Sequence, residues 1–170
     1  MRNRNVTMIT QGAIIAALYV VLTMIANALG LANQAIQIRF SEALCILPFF
    51  TIAAIPGLAI GCLISNILTG ALIWDVLFGT LATFIGAVGT YLLRKNKVLM
   101  MIPPVLSNAI IVPLVLCYGY GLSWEMNGVD WTIPYFAITV GIGEIISVCG
   151  LGGALLKALI PYKNVIFKNN

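Results

Sequence analysis

The chain has 170 residues, 61% of them hydrophobic and 8% charged, with nine Lys+Arg, five Asp+Glu and no histidine. A soluble domain carries about 25% charged residues, so these charges cannot cover a soluble globule, and the mean hydropathy of +1.06 points to a membrane protein. The missing histidine excludes a Ser-His-Asp triad, an imidazole metal ligand and a histidine proton relay.

No GxxxxGK(S/T) phosphate loop is present, so ATP hydrolysis by that route is excluded. Cys45, Cys62, Cys117 and Cys149 are widely spaced in apolar stretches and form no CxxC pair. They read as small buried hydrophobes rather than as metal ligands or disulfides. Neither a metal nor a cofactor is expected.

About 20 apolar residues span the ~30 Å hydrocarbon core of a bilayer. The first expected helix covers residues 9–29 and holds no charge. A polar connection with Asn33, Gln34, Gln37 and Arg39 follows. Ser41 stands as N-cap of a short second helix, 42–54, with Glu42 in its first turn. Pro56-Gly57 is expected to break that run, and the third helix covers 57–73. Trp74-Asp75 marks a turn before the fourth helix, 76–93, which Arg94, Lys95 and Lys97 end.

The fifth helix covers 99–118, with Pro103-Pro104 near its start and Pro113 placed to kink it. A loop rich in Gly, Trp and acid leads to the sixth, 131–160. The expected fold is all-α: one polytopic transmembrane domain over residues 1–170, with six helices.

The charges fit that count. With six crossings and a cytoplasmic N-terminus, Arg2, Arg4, Arg94, Lys95, Lys97, Lys157, Lys163 and Lys168 fall inside, and only Arg39 falls outside. The net charge of +4 then reports orientation, and nucleic acid is not an expected partner. Met1–Ala28 resembles a signal peptide in its two arginines, apolar run and Ala26-Asn27-Ala28. The run is long for such a segment, and it is expected to stay as the first span.

Ionisable groups inside a membrane are costly and mark function by default. Glu144 lies about 13 residues into the sixth helix, close to the midplane, and Asn108 sits at comparable depth on the fifth. A carboxylate facing a carboxamide reads a ligand with several N–H donors; a structural tie between two helices is the alternative. Arg39 and Glu42 are candidates nearer the outer end, or an ion pair holding that loop. Asp75 is a candidate ligand group or a helix cap. Trp124 and Trp131 either anchor the interface or stack on a planar ligand.

With Asn33, Gln37, Glu125 and Asp130, these residues decorate the outer end and suggest a pocket open to the outside. Small residues spaced i, i+4 form stripes suited to close helix packing: Gly12/Ala16 and Ala13/Ala17 on the first helix, Gly57/Gly61 on the third.

The stretches QIRFSEALCILPFF (37–50), AIPGLAIGCLISN (54–66) and DVLFGTLAT (75–83) resemble the QueT family of queuosine-precursor transporters. The resemblance extends over the whole chain in length and helix count. It implies a substrate-binding S-component of an energy-coupling-factor (ECF) transporter in the cell membrane, six-helical with both termini cytoplasmic. One transmembrane coupling subunit and two ATPase subunits are the implied partners, and Ala13 and Ala17 match the AxxxA-type stripe that docks on the coupling subunit.

The implied substrate is a planar 7-deazaguanine, such as the aminomethyl base, or queuine. From position alone, Gln37, Arg39, Glu42, Asp75, Asn108, Trp124, Trp131 and Glu144 are expected to bind it. An S-component for another vitamin such as thiamin and a solitary small-molecule transporter stay open as alternatives. A membrane enzyme is disfavoured by the absence of histidine and of any clustered acidic motif.

Overall fold

The fold begins with a helix, α1 (Arg4–Ala28), whose 25 residues rise about 37 Å, enough to cross a hydrocarbon core. This computed structural model describes residues 4–31 and 38–167, and the chain is mostly helical. After α1 come a 3-10 segment (Phe40–Phe49), α2 (Ala54–Leu68) and α3 (Ile73–Leu92). A 3-10 turn (Leu99–Met101), α4 (Ile102–Leu114) and a π turn (Val115–Gly119) then run as one helix.

A two-strand hairpin, β1 (Glu125–Met126) against β2 (Val129–Asp130), leads to the last helix. That helix is α5 (Thr132–Glu144), a π segment (Ile145–Gly152) and α6 (Gly153–Leu159), with a short α7 (Lys163–Ile166) beyond. Among the described residues four helices are long and apolar enough to cross a membrane, while Phe40–Phe49 and Ala54–Leu68 are apolar but shorter.

Three expectations need correction. Residues 42–54 do not form an α-helix: the chain there is 3-10 over ten residues, opened by Arg39 without a side-chain cap. Ser41 lies inside that segment, its Oγ taking a hydrogen bond from Thr23 Oγ1 at 2.9 Å. Long 3-10 runs are uncommon. This one is buried from Ser41 to Pro48, where i→i+3 bonds satisfy its backbone away from lipid.

Pro56-Gly57 does not break the chain either. The turn comes earlier, at Phe50–Ala53, and Pro56 is the third residue of α2, where its missing N–H costs no intrahelical bond. Asp75 is no cap: Leu72 opens α3, and the Asp75 carboxylate turns inward. The helix also runs through Pro113, widening into its π turn just beyond.

Consecutive helices are neighbours from α1 to α5, and the 3-10 segment is threaded between α1, α3 and the last helix. Polar side chains point inward and large apolar ones outward. Ser41, Thr51, Thr90 and Ser147 are fully buried, while Ile9, Ile14, Leu18, Val21 and Ile25 of α1 are exposed. Such an arrangement suits a lipid solvent, in which association rests on close packing and interhelical hydrogen bonds. The chain is a multi-pass membrane protein.

α1 and α2 approach closely, and a Cβ on Gly57 would stand 2.7 Å from the Gly12 carbonyl oxygen. One on Gly61 would stand 2.7 Å from Tyr19 Cβ and 3.0 Å from the Ala16 oxygen. The Gly12/Ala16 stripe is therefore spent inside the fold, whereas Ala13 and Ala17 face outward. At one end α1 and the chain's close are laced together. Gln11 takes a hydrogen bond from Thr51 (3.0 Å) and gives one to the Ile166 carbonyl (3.3 Å), and Phe50 stacks on Phe167.

Gly61→Val forces backbone apart at that contact and is expected to cost about 1–3 kcal/mol. The check is a fall in the thermal midpoint of the purified protein, against an unchanged midpoint for Ala13→Val.

Candidate functional site

Two carboxylates share the middle of the bundle. Glu42, in the first turn of the 3-10 segment, has no exposed surface. The Tyr19 hydroxyl of α1 donates to its Oε1, and Cys45, one 3-10 turn on, donates from Sγ to Oε2 at 3.0 Å. Both oxygens thus have a donor, which is what a buried carboxylate requires.

Glu144, the last residue of α5, is also buried. The Asn108 carboxamide from α4 lies against it, and Asn108 Nδ2 also donates to the Pro104 carbonyl at 3.2 Å. Glu144 Oε2 and Ser147 Oγ are enclosed and without a partner. Ile145 and Ile146 between them face out, so both orphaned atoms sit on the inward face. An enclosed polar atom left unpaired costs about 1–3 kcal/mol, and here that cost is unspent capacity to accept a ligand's donors.

Above this cluster, at the end opposite the α1 start, lies a polar cavity of about 290 Å³. Arg39, Asn66, Asp75 and Tyr120 line it, with Thr23 and Asn27 from the end of α1. Asp75 Oδ2 accepts a long hydrogen bond from the Tyr120 hydroxyl (3.4 Å), which itself accepts the Leu72 N–H at 3.3 Å. Asp75 Oδ1 is enclosed without a partner. Asn66 Nδ2 fixes this stretch by donating to the Asp75 carbonyl at 3.2 Å.

Arg39 feels Asp75 most strongly among the ionisable groups around it and also acts on Glu144, so it links the cavity to the cluster below. Larger grooves flank Trp74, Phe78 and Tyr118 and run between α1 and α2. Their walls are almost wholly apolar and face outward, as lipid-filled grooves do.

Arg39 and Asp75 therefore come together at the cavity, while Glu42, Asn108 and Glu144 come together beneath it. Gln37 lies outside the described residues. Trp124 and Trp131 flank the hairpin away from the cavity lining: Trp124 stacks on Tyr135 with ring centres 4.6 Å apart, and Trp131 is exposed. The hairpin closes through Trp124 N–H to Thr132 Oγ1 (2.7 Å) and Thr132 N–H to Asp130 Oδ1 (2.8 Å). Hydrogen bonds from the Thr132 hydroxyl and backbone hold the Asp130 carboxyl below its usual range.

Sequence reasoning missed Tyr19, Cys45, Asn66, Tyr120 and Ser147. Only Asn66 carried a signal, as a carboxamide inside an apolar run.

Comparison with known proteins agrees with this placement in a membrane. A family model described as QueT transporter matches residues 9–161, and the chain belongs to that family. Over 73 residues the chain is 42% identical to "Queuosine precursor transporter QueT" of Lactococcus lactis subsp. cremoris (strain MG1363). The aligned stretch covers 43% of this chain and 43% of that relative, so the match spans less than half of the curated protein. No solved structure matches.

Tyr19→Phe removes one of the two donors to Glu42 without changing shape, and it is expected to destabilise the fold by about 1–3 kcal/mol. Thermal unfolding of the variant beside wild type measures the loss, and Tyr19→Leu, which also loses ring packing, is expected to fall further.

Proposed function

We propose that this chain is the substrate-binding membrane subunit, an S-component, of an ECF-type importer for a queuosine precursor. The ligand is a planar 7-deazaguanine, such as the aminomethyl base, or queuine. Family membership and the printed name of the relative support the substrate class. The observation that carries the reading is the polar cavity at one end of the bundle, set directly over two buried carboxylates. Its volume of about 290 Å³ is near the lower bound of small-molecule sites, about 300 Å³, and suits one fused bicycle.

In this reading Arg39 and Asp75 hold the ligand in the cavity. Glu42, Asn108 and Glu144 form an acceptor-rich floor for a guanine-like edge of N–H donors. By sequence position Gln37, Trp124 and Trp131 are assigned to the ligand as well, the two tryptophans flanking the hairpin. A coupling transmembrane subunit and two ATPases supply the energy, and Ala13 and Ala17, exposed on α1, offer the flat stripe on which the coupling subunit docks.

Two observations support a topology for this reading. α1 begins and α7 ends at the same end of the molecule, laced by Gln11, which favours an even number of crossings. Arg94, Lys95 and Lys97 follow the end of α3, whose start lies at the cavity, so they belong to the α1-start end with Lys157 and Lys163. The positive-inside rule makes that end cytoplasmic, with six spans, both termini inside and the cavity outside.

Calorimetry on the purified chain is expected to show binding of the aminomethyl base, about tenfold to a hundredfold weaker in Glu144→Gln, the loss typical of a hydrogen bond to a charged group. Thiamin is expected not to bind. Ala17→Leu is expected to retain that binding while abolishing ATP-driven uptake by the assembled transporter; uptake surviving in vesicles without ATP would sink the S-component reading. For topology, a cysteine placed at Lys97 is expected to react with an impermeant maleimide in inside-out vesicles only, and one at Glu125 in right-side-out vesicles only.

A further inference from the structure

The cavity carries opposite charges that do not meet. Arg39 and Asp75 both line it, yet among the described residues neither forms an ion pair. Around the arginine the other ionisable groups include Tyr19, Glu42, Cys62, Tyr120 and Glu144, and the Tyr19 hydroxyl is already committed to Glu42. Asp75 is more than nine-tenths buried, yet one of its oxygens has no donor and the other only the long bond from Tyr120. That hydroxyl belongs to an exposed residue shared with the Leu72 N–H, so an incoming donor displaces it readily.

The Asp75 carboxylate lies along its own helix instead of in an ion pair. Its backbone carbonyl is held by Asn66, and its Oδ1 lies 3.1 Å from where a Cβ on Gly79 would stand, tucked onto its own helix. Donor and acceptor are therefore held apart across the space a ligand would fill.

We infer that the cavity recognises a ligand carrying a donor and an acceptor on adjacent atoms, a cyclic amide, which bridges the separated pair with its N–H on Asp75 and its carbonyl on Arg39. Both contacts are charge-assisted hydrogen bonds. The separated pair sets the selectivity, because a molecule lacking either group leaves a buried charge unanswered. The inference rests on the proposed function, since it uses the ring amide of a 7-deazaguanine as the bridging edge.

The test uses the full-length chain in detergent and three probes: the aminomethyl 7-deazaguanine, its N1-methyl derivative with the donor blocked, and its 6-deoxo derivative, which loses the carbonyl acceptor together with the N1–H. Wild type is expected to bind each altered probe about a hundredfold or more weakly than the parent, since sites built around ligand hydrogen bonds reject analogues that lack them. Asp75→Asn is expected to lose discrimination against the N1-methyl probe, and Arg39→Gln to keep it while narrowing discrimination against the 6-deoxo probe.

If wild type binds the parent and both altered probes within threefold of one another, the bridging inference is overturned while the transporter reading stands. If wild type binds none of the three, the queuosine-precursor reading itself fails and the inference with it. The probe comparison on wild type decides the matter even where a variant does not fold.

Discussion

A carboxylate buried in a bundle that lipid surrounds must find its donors within the chain, and Glu42 sets the terms on which this fold closes. Its two donors come from α1 and from its own segment, through Tyr19 and Cys45. The segment that carries it is 3-10 rather than α, narrow enough to be threaded between α1, α3 and the last helix. With no water in the hydrocarbon region to solvate a stray oxygen, loss of this contact leaves a charge that nothing else in the bundle can answer. Close approach of α1 and α2 at Gly57 and Gly61 is the complementary requirement, because it brings Tyr19 within reach.

The buried carboxylates differ in how fully they are satisfied. Around Glu42 every carboxylate oxygen has a donor, and the interaction is structural as well as electrostatic. Around Glu144 and Asp75 one oxygen of each carboxylate lacks a partner. Polar groups left incomplete in an otherwise complete network are where a fold gives up stability for recognition. Arg39, acting on all three carboxylates, makes them electrostatically one site.

Much of this was legible in the sequence. Composition alone indicated a membrane protein, and the succession of apolar helices followed from runs of apolar residues interrupted by charge. The inward residues Tyr19, Cys45 and Ser147 were not legible, because a single polar side chain in an apolar helix says nothing about which neighbour it meets. Asn66 and Tyr120 join Asp75 only through the packing of α2 and α4 against α3. The Ser41 cap and the Pro56 break failed for a related reason. Both signals concern an isolated helix end, and burial of residues 41–48 overrode them.

One pattern in the last helix has a geometric consequence. Val140, Glu144, Val148, Gly152 and Leu156 are all buried, a stripe with a period of four residues. An α-helix turns every 3.6 residues, so such a stripe would drift by about 40° per step, about 160° from Val140 to Leu156, and half of it would face lipid. The π segment from Ile145 to Gly152 takes up that drift, since each i→i+5 turn holds more residues than an α turn. The widened helix thus keeps the buried carboxylate in phase with the glycine and leucine that seat the half nearer the α1 start.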